Sequence, residues 1–400
     1  MRLLVLALGL VAALGAGVAP AEQRAPAAEG VLLTSRSGPL SDSGLVLVTP
    51  DGRTQRLLRG SWTPVFPAGR RGPFAVEPRG RLADPRPLVV VDGARTARID
   101  GSAGARCVSW SPDARRLSYL TGTETPLENP SSRGWAISGT LWVVARDAVS
   151  SPQAIDIGLF PWKQCPSWAP RGESLAYVVS RSAAAPKTWS LVVLRGGERP
   201  LIAELDAAVP SPAYRTFDWE PRTGRLVFLD RETLFEWRNG AVVQLGRDHA
   251  LTAVGAAPPD RFLHSVRFSP NGALLAASIG RETAVLTSAG GLVRVVAGTF
   301  NGWAGNSGLL TLRAERSGIT LRLHRLRPPH GGRVIKRFFK SNIVSDPRGR
   351  WFAYIDRETA SIDFRRPDGS LLRRVRMRFD PWIVAGVARD GRIIEPASAY

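Results

Sequence analysis

Three observations predict an all-β fold. The stretch CVSWSPDARRLSYL at Cys107–Leu120 returns as CPSWAPRGESLAYVV from Cys165, TFDWEPRTGRLVFL from Thr216 and SVRFSPNGALLAAS from Ser265. Each copy is followed by a second stretch of strand-forming residues folded around a Gly, Asp or Pro turn. Forty glycines and 31 prolines, with no long amphipathic helical pattern, suit a chain that reverses every few residues. Four strands per period of roughly 40–50 residues is the signature of a β-propeller blade. The expected architecture is a single propeller of eight four-stranded blades, with seven as the alternative count.

The repeat has a physical basis. Proline at the second turn position presets φ, and the Asp, Asn or Gly after it supplies the tolerant backbone that a tight reversal needs. The flanking residues are rich in β-branched and aromatic types, as packed strands require. One such hairpin is marginal in water, so several must share a core. Aligning the residue before the turn gives anchors at Trp62, Trp110, Trp168, Trp219, Phe268, Trp303, Ser345 and Val387. Seven places on stand Leu117, Leu175, Leu226, Leu275, Leu310, Phe352 and Ile394. Trp62 alone breaks the rule, because Gly69 falls there and the strand restarts at Phe74.

Eight second hairpins match the eight anchors, beginning at Leu45, Pro87, Leu141, Trp189, Leu234, Thr283, Leu321 and Ser361. The chain therefore opens on second-hairpin material and closes on a first hairpin at Val387–Glu395. The two termini are expected to share one blade and so remove the last open sheet edge. Either Val31–Ser35 or Arg392–Glu395 could supply that blade's second strand.

The W-S-P-D-x-x-x-L-x-Y element, here at Trp110–Tyr119, resembles the TolB-type, WD-repeat-like propeller repeat of exported bacterial proteins. The resemblance covers nearly all of the chain after about residue 30. It implies a propeller that serves as a protein-binding scaffold or as an accessory domain of a peptidase. The chain departs from TolB itself, which carries an α/β domain ahead of its propeller.

Residues 1–21 read as a secretory signal, with Arg2, an apolar core from Leu3 to Leu14, and the small residues Ala19-Pro20-Ala21 at a cleavage site. An uncleaved N-terminal anchor is the alternative. Residues 22–30 read as a short linker and 31–400 as the propeller. No later stretch approaches the roughly 20 apolar residues of a transmembrane span. The expected location is periplasmic or extracellular, after cleavage near Ala21.

Longer connections fall at Thr121–Ser138, Ser180–Lys187, Asp206–Arg215 and Gly246–His264. Long loops on a rigid scaffold often carry binding. Net charge is +20, and only four of the 54 basic residues are lysine. From Arg313 to Arg378 there are 18 Arg plus Lys against 6 Asp plus Glu. Such clustering attracts anions. For an exported protein this points to an anionic polymer, a lipid headgroup or an acidic protein rather than nucleic acid.

Cys107 and Cys165, the only cysteines, each lie three residues before the anchor tryptophan of consecutive repeats. Equivalent positions on neighbouring blades converge near the ring axis, and export supplies an oxidising compartment, so a disulfide is expected. Immediately before these positions stand Arg106, Gln164, Arg215 and His264, which would ring one mouth of the channel, with Asp218 able to join them. Trp110, Trp168, Trp219 and Trp303 recur at one repeat position and are expected to pack between blades. Trp135, Trp162, Trp189 and Trp237 are off that register.

No catalytic residues, metal site or cofactor site are identified. There is no G-x-S-x-G elbow, no H-E-x-x-H and no D-x-D-x-D-G, and the four histidines lack ligand spacing. No length remains for an α/β-hydrolase domain. The expected function is an exported, non-catalytic scaffold binding a protein or envelope partner through its loops and channel mouth. One alternative is a propeller enzyme (lyase, lactonase or glycosidase) acting at that mouth. The other is a polyanion-binding envelope protein using residues 313–378.

Overall fold

The computed structural model describes residues 29–35, 44–59, 62–68, 72–78, 85–127, 135–161, 164–181, 188–206, 216–230, 233–238, 240–245, 263–279, 281–315, 318–328, 330–337, 339, 342–346, 348–379, 381–387 and 393–394. The signal at 1–21 and most of the linker lie outside them. The described residues form eight antiparallel sheets in a ring, an eight-bladed propeller. Blades 1 to 7 start at Trp62, Arg106, Ser167, Phe217, Leu263, Thr299 and Ile343, while blade 8 joins strands from both ends of the chain. Blade 2 shows the plan. Its strands Arg106–Trp110, Arg116–Pro126, Trp135–Ala145 and Gln153–Pro161 run in order from the axis to the rim.

The core is a ring of inter-blade cores. Among the described residues eight apolar clusters form, seven of them shared by two neighbouring blades and one, between blades 3 and 4, reached by blade 2 as well. A blade is thus buried on both faces, and its inner strands need not alternate. The strand Ser174–Val179, SLAYVV, is buried at every position. Continuous apolar runs of this kind mark sheets covered on both sides.

Three of the anchor tryptophans tie their blade to the one before it. Trp110 donates its indole N–H to the Phe66 carbonyl (3.0 Å), Trp168 to that of Ser109 (3.2 Å) and Trp219 to that of Ser167 (2.9 Å). In blades 2 and 3 the acceptor directly precedes the anchor. By the same rule the anchor of blade 1 is Pro67, and Trp62 is not. Pro67 pairs with Phe74 as Trp110 pairs with Leu117, and both residues that follow close the same turn hydrogen bond. The aromatic signal misled because Trp62 opens the inner strand Trp62–Pro67 instead of ending it.

The tight turns after the anchors carry one residue at positive φ: Gly172 (76°), Gly272 (68°), Gly349 (71°) and, in blade 2, Ala114 (58°). Ala114 bears the strain that glycine avoids elsewhere. The Ser111 hydroxyl compensates by donating to Asp113 (2.5 Å) and accepting from the Arg116 N–H (2.9 Å).

Closure is decided at blade 8. Its inner strand, Pro381–Val387, comes from the C-terminal end, and Gly30–Ser35, Gly44–Val48 and Thr54–Arg59 come from the N-terminal end. Val31–Ser35 therefore lies within the second strand, which runs from Gly30↔Val387 to Ser35↔Pro381. Ile393–Ile394 does not take that place. It pairs with the opposite, axis-facing edge of Pro381–Val387, giving this one sheet a fifth strand. The free inner edge of a propeller strand is an unsatisfied row of peptide groups, and the returning chain covers part of it.

Candidate functional site

The antiparallel order separates two kinds of connection. Links from first to second and from third to outer strand lie on one face; links from second to third strand and between blades lie on the other. On the first, or turn, face the strands of a blade are joined by two to seven residues. On the second, or connection, face the links reach much further, as between Asp206 and Phe217 and between Gln244 and Leu263. Three of the four long connections expected from sequence join strands at this face, where the inner strands also start; the fourth, Thr121–Ser138, is instead mostly paired strand, Thr121–Pro126 and Trp135–Ser138.

Blade 2 builds the largest described feature there. Its second and third strands continue in register to Pro126↔Trp135, forming an arm that extends past the ring. Gly122, Gly139 and Gly158 stand side by side across three strands of its base. A Cβ on Gly139 would lie 1.8 Å from the Thr121 carbonyl oxygen, and one on Gly158 would lie 2.6 Å from that of Ser180. The row allows the arm to fold onto blade 3. Leu159 and Ser180 exchange two backbone hydrogen bonds of 2.8 Å, and Leu127, Ala136 and Leu159 join the core between blades 3 and 4. Trp135 at the tip is 51% exposed.

The expected disulfide is formed. Cys107 and Cys165 are bonded, with Cα atoms 5.1 Å apart, and join blades 2 and 3 at the connection face. Cys165 is exposed and Cys107 half-buried.

The proposed channel-mouth residues have separate environments. Arg106 is exposed and forms an ion pair with Glu124 of the arm (2.6 Å). Gln164 is buried; its amide nitrogen and oxygen lie 2.6 and 2.9 Å from the Thr216 hydroxyl, linking blades 3 and 4. Asp218 is buried, accepts from the Phe268 N–H (2.9 Å) and lies 3.8 Å from Arg267, so it joins blades 4 and 5. Arg215 and the His264 side chain lie outside the described residues. Gln164 and Asp218 thus hold blade contacts, a role invisible from one strand because their partners come from the next repeat.

Two further carboxylates near the turns have local roles. Glu220 receives the Thr223 N–H (2.7 Å) and Asp346 the Arg350 N–H (2.9 Å), each stabilising its own turn. Trp110, Trp168, Trp219 and Trp303 sit in inter-blade cores. Off the register, Trp189 is buried and Trp237 half-buried, while Trp162 is outside the described residues. Among the described residues no group of three or more His, Cys, Asp and Glu is placed to hold a metal ion.

One feature was not anticipated from sequence. A depression of about 440 Å³ lies on the connection face between blades 7 and 8. Ile355, Met377, Phe379 and Pro381 line it, together with Arg357 and Arg378. Its residues come from three strand ends, and no local motif marks them.

No family model matches the chain, and no curated protein matches it. Solved structures with a similar fold include dipeptidyl peptidase 4 of Porphyromonas gingivalis, at 10% identity and a TM-score of 0.57, over 88% of this chain and 60% of that one. TolB of Acinetobacter baumannii aligns at 15% identity and 0.35, over 72% and 67%. The Cps50 (Swd1) β-propeller domain of Myceliophteria thermophila aligns at 11% and 0.41, over 69% and 87%. At such identities the likeness concerns the fold alone. Among the described residues no helix is long and apolar enough to cross a membrane.

Proposed function

We propose that this chain is an exported, non-catalytic propeller scaffold that holds a protein or cell-envelope partner on its connection face. The observation that carries the reading is the asymmetry between the faces. A ring that needs only short links on both sides instead bears long connections and a folded arm on one of them. Loops on a rigid frame can vary without cost to the core, which is where recognition is placed in such folds. Export is supported by the inter-blade disulfide and by the apolar Leu3–Leu14 stretch, since disulfides persist in oxidising compartments.

The test replaces residues 246–262 and 207–215 by short Gly-Ser links in the full chain and compares the proteins cross-linked to it in isolated envelopes. Loss of a specific cross-linked partner at unchanged melting temperature is expected. Retention of every partner would overturn the reading, and so would turnover of lactones or glycosides by the purified chain. Mature protein starting near residue 22 in the culture's extracytoplasmic fraction is the expected outcome for export; a chain retained in the cytoplasm with free thiols would contradict it.

A further inference from the structure

The arginines of the turn side follow a periodicity that runs from blade to blade. The third residue of the outer strand is Arg294 in blade 5, Arg333 in blade 6, Arg373 in blade 7 and Arg56 in blade 8. Each pairs with a buried apolar residue of the third strand: Val285, Leu323, Phe364 and Val46. Arg294, Arg333 and Arg373 are structurally equivalent and lie on the face toward the next blade, whereas Arg56 sits on the opposite face of its strand, because Val46 packs with Trp351 and Phe364 of blade 7. In the other half of the ring the same place holds Ala97, Ile155, Ala203 and Val243.

Three of the four side chains reach the next blade's outer turn. Arg294 donates to the Arg325 carbonyl (3.1 Å). Arg333 borders Gly369, and Arg373 lies over Gly52, close enough that a Cβ there would meet its Nε at 2.8 Å. Their charges are not spent on carboxylates. Within 313–378 the acids Asp346, Asp356, Glu358 and Asp363 are taken by Arg350, Lys336, Arg374 and Arg365. Among the described residues none of Arg56, Arg294, Arg333 and Arg373 has a carboxylate in ion-pair range. Exposed Arg325 and Arg366 at the adjoining turns lie near the Asp368 carboxylate, which offsets part of their charge.

We propose that this half-ring is a binding track for a flexible, linear acidic polysaccharide, its anionic groups met by one outer-strand arginine per blade. Guanidinium groups suit carboxylate and sulfate through paired N–H donors. Four successive outer strands turn through half of the ring, an arc that a flexible polymer can follow. No aromatic residue occupies these four outer strands to stack bases, as single-strand nucleic-acid grooves do. The track lies apart from the connection face and stands independently of the scaffold reading. It also differs from the basic stretch seen in sequence: Arg56 and Arg294 lie outside residues 313–378, and several cations inside it are neutralised.

The probe is fluorescently labelled alginate, with binding to the full chain measured by anisotropy at 50 and 200 mM NaCl. If four contacts each release about 0.7 counterion, as on single-stranded polyanions, the fourfold salt increase weakens binding by about fiftyfold. The variant R56Q/R294Q/R333Q/R373Q should lose about tenfold or more at 50 mM salt and most of the salt dependence. The control R95Q/R171Q/R195Q/R238Q removes the same charge from the other half and should lose less than about threefold. Arginine-to-lysine replacement of the track keeps the charge and shows whether a loss reflects misfolding, with melting curves run on every variant. Equal losses in the two glutamine variants would overturn the proposal in favour of net charge. Absence of alginate binding would overturn it too, as would tighter binding to vesicles of 30% phosphatidylglycerol or to single-stranded DNA.

Discussion

Removing the Cys107–Cys165 bond tests how the ring is stabilised. The bond closes a loop across a sequence separation of 58 residues. In the chain-entropy model a loop of that size restricts the unfolded ensemble by about 4 kcal/mol. The folded state has other ties at the same junction. Trp168 is hydrogen-bonded to Ser109 and Ser118, the Arg116 guanidinium lies 4.8 Å from the Trp168 ring centre, and Leu159 and Ser180 are bridged. The native geometry should therefore survive, and the loss should arise in the unfolded chain. An unfolding entropy of about 2.1 cal/mol/K per residue over roughly 370 residues converts 4 kcal/mol into a fall of about 5 °C. Calorimetry of C107S/C165S against the oxidised protein measures it, with near-UV circular dichroism as the check on native packing. A change below about 1 °C would refute the entropic account. So would loss of the native near-UV signal at 25 °C, which would mean that the bond holds the folded blades together.

Two further outcomes are expected. Gly139→Ala places a methyl against the Thr121 backbone, which cannot rotate away, so it should cost about 1–3 kcal/mol and release the arm; hydrogen exchange at the Leu159 and Ser180 amides should accelerate, and unchanged protection would contradict the role given to the glycine row. His324 is held at a pKa of about 4, lowered by burial and then by the cations of Arg322 and Arg294, with its Nε2 2.9 Å from the Thr311 hydroxyl. The unfolded chain then binds the extra proton between about pH 6.5 and 4, so stability should fall by about 1–2 kcal/mol as the pH drops through that window. H324Q should remove that segment of the pH–stability curve; an unchanged curve would refute it.

The repeat was legible because a propeller writes its blades consecutively. Turn chemistry recurs at Ser-Pro-Asp, Ser-Pro-Asn and Asp-Pro-Arg, and an apolar residue follows seven places after each of seven anchors. The disulfide was legible for the same reason: equal positions in consecutive repeats are neighbours in space. The error at Trp62 shows the limit. Composition marks an aromatic, but only the pairing of Pro67 with Phe74 shows which residue ends the strand.

The candidate site was less legible. Gln164 and Asp218 stand in sequence among polar residues that could line a channel, yet each is buried against the following blade. The glycine row was hidden because Gly122, Gly139 and Gly158 are scattered along the chain and meet only when three strands pair.

By itself the sequence determined the all-β class, the repeated four-strand unit, the pairing of the two cysteines and the strong positive charge. These follow from local turn preference and from a period short enough to compare copies directly. Tertiary structure decided which terminal strand closes blade 8, which face carries the long connections, and which arginines remain unpaired on the rim. Those depend on contacts between residues far apart in the chain, such as Gly30 with Val387 and Arg373 with Gly52. Burial, charge pairing and ring closure are properties of such contacts, and no single repeat contains them.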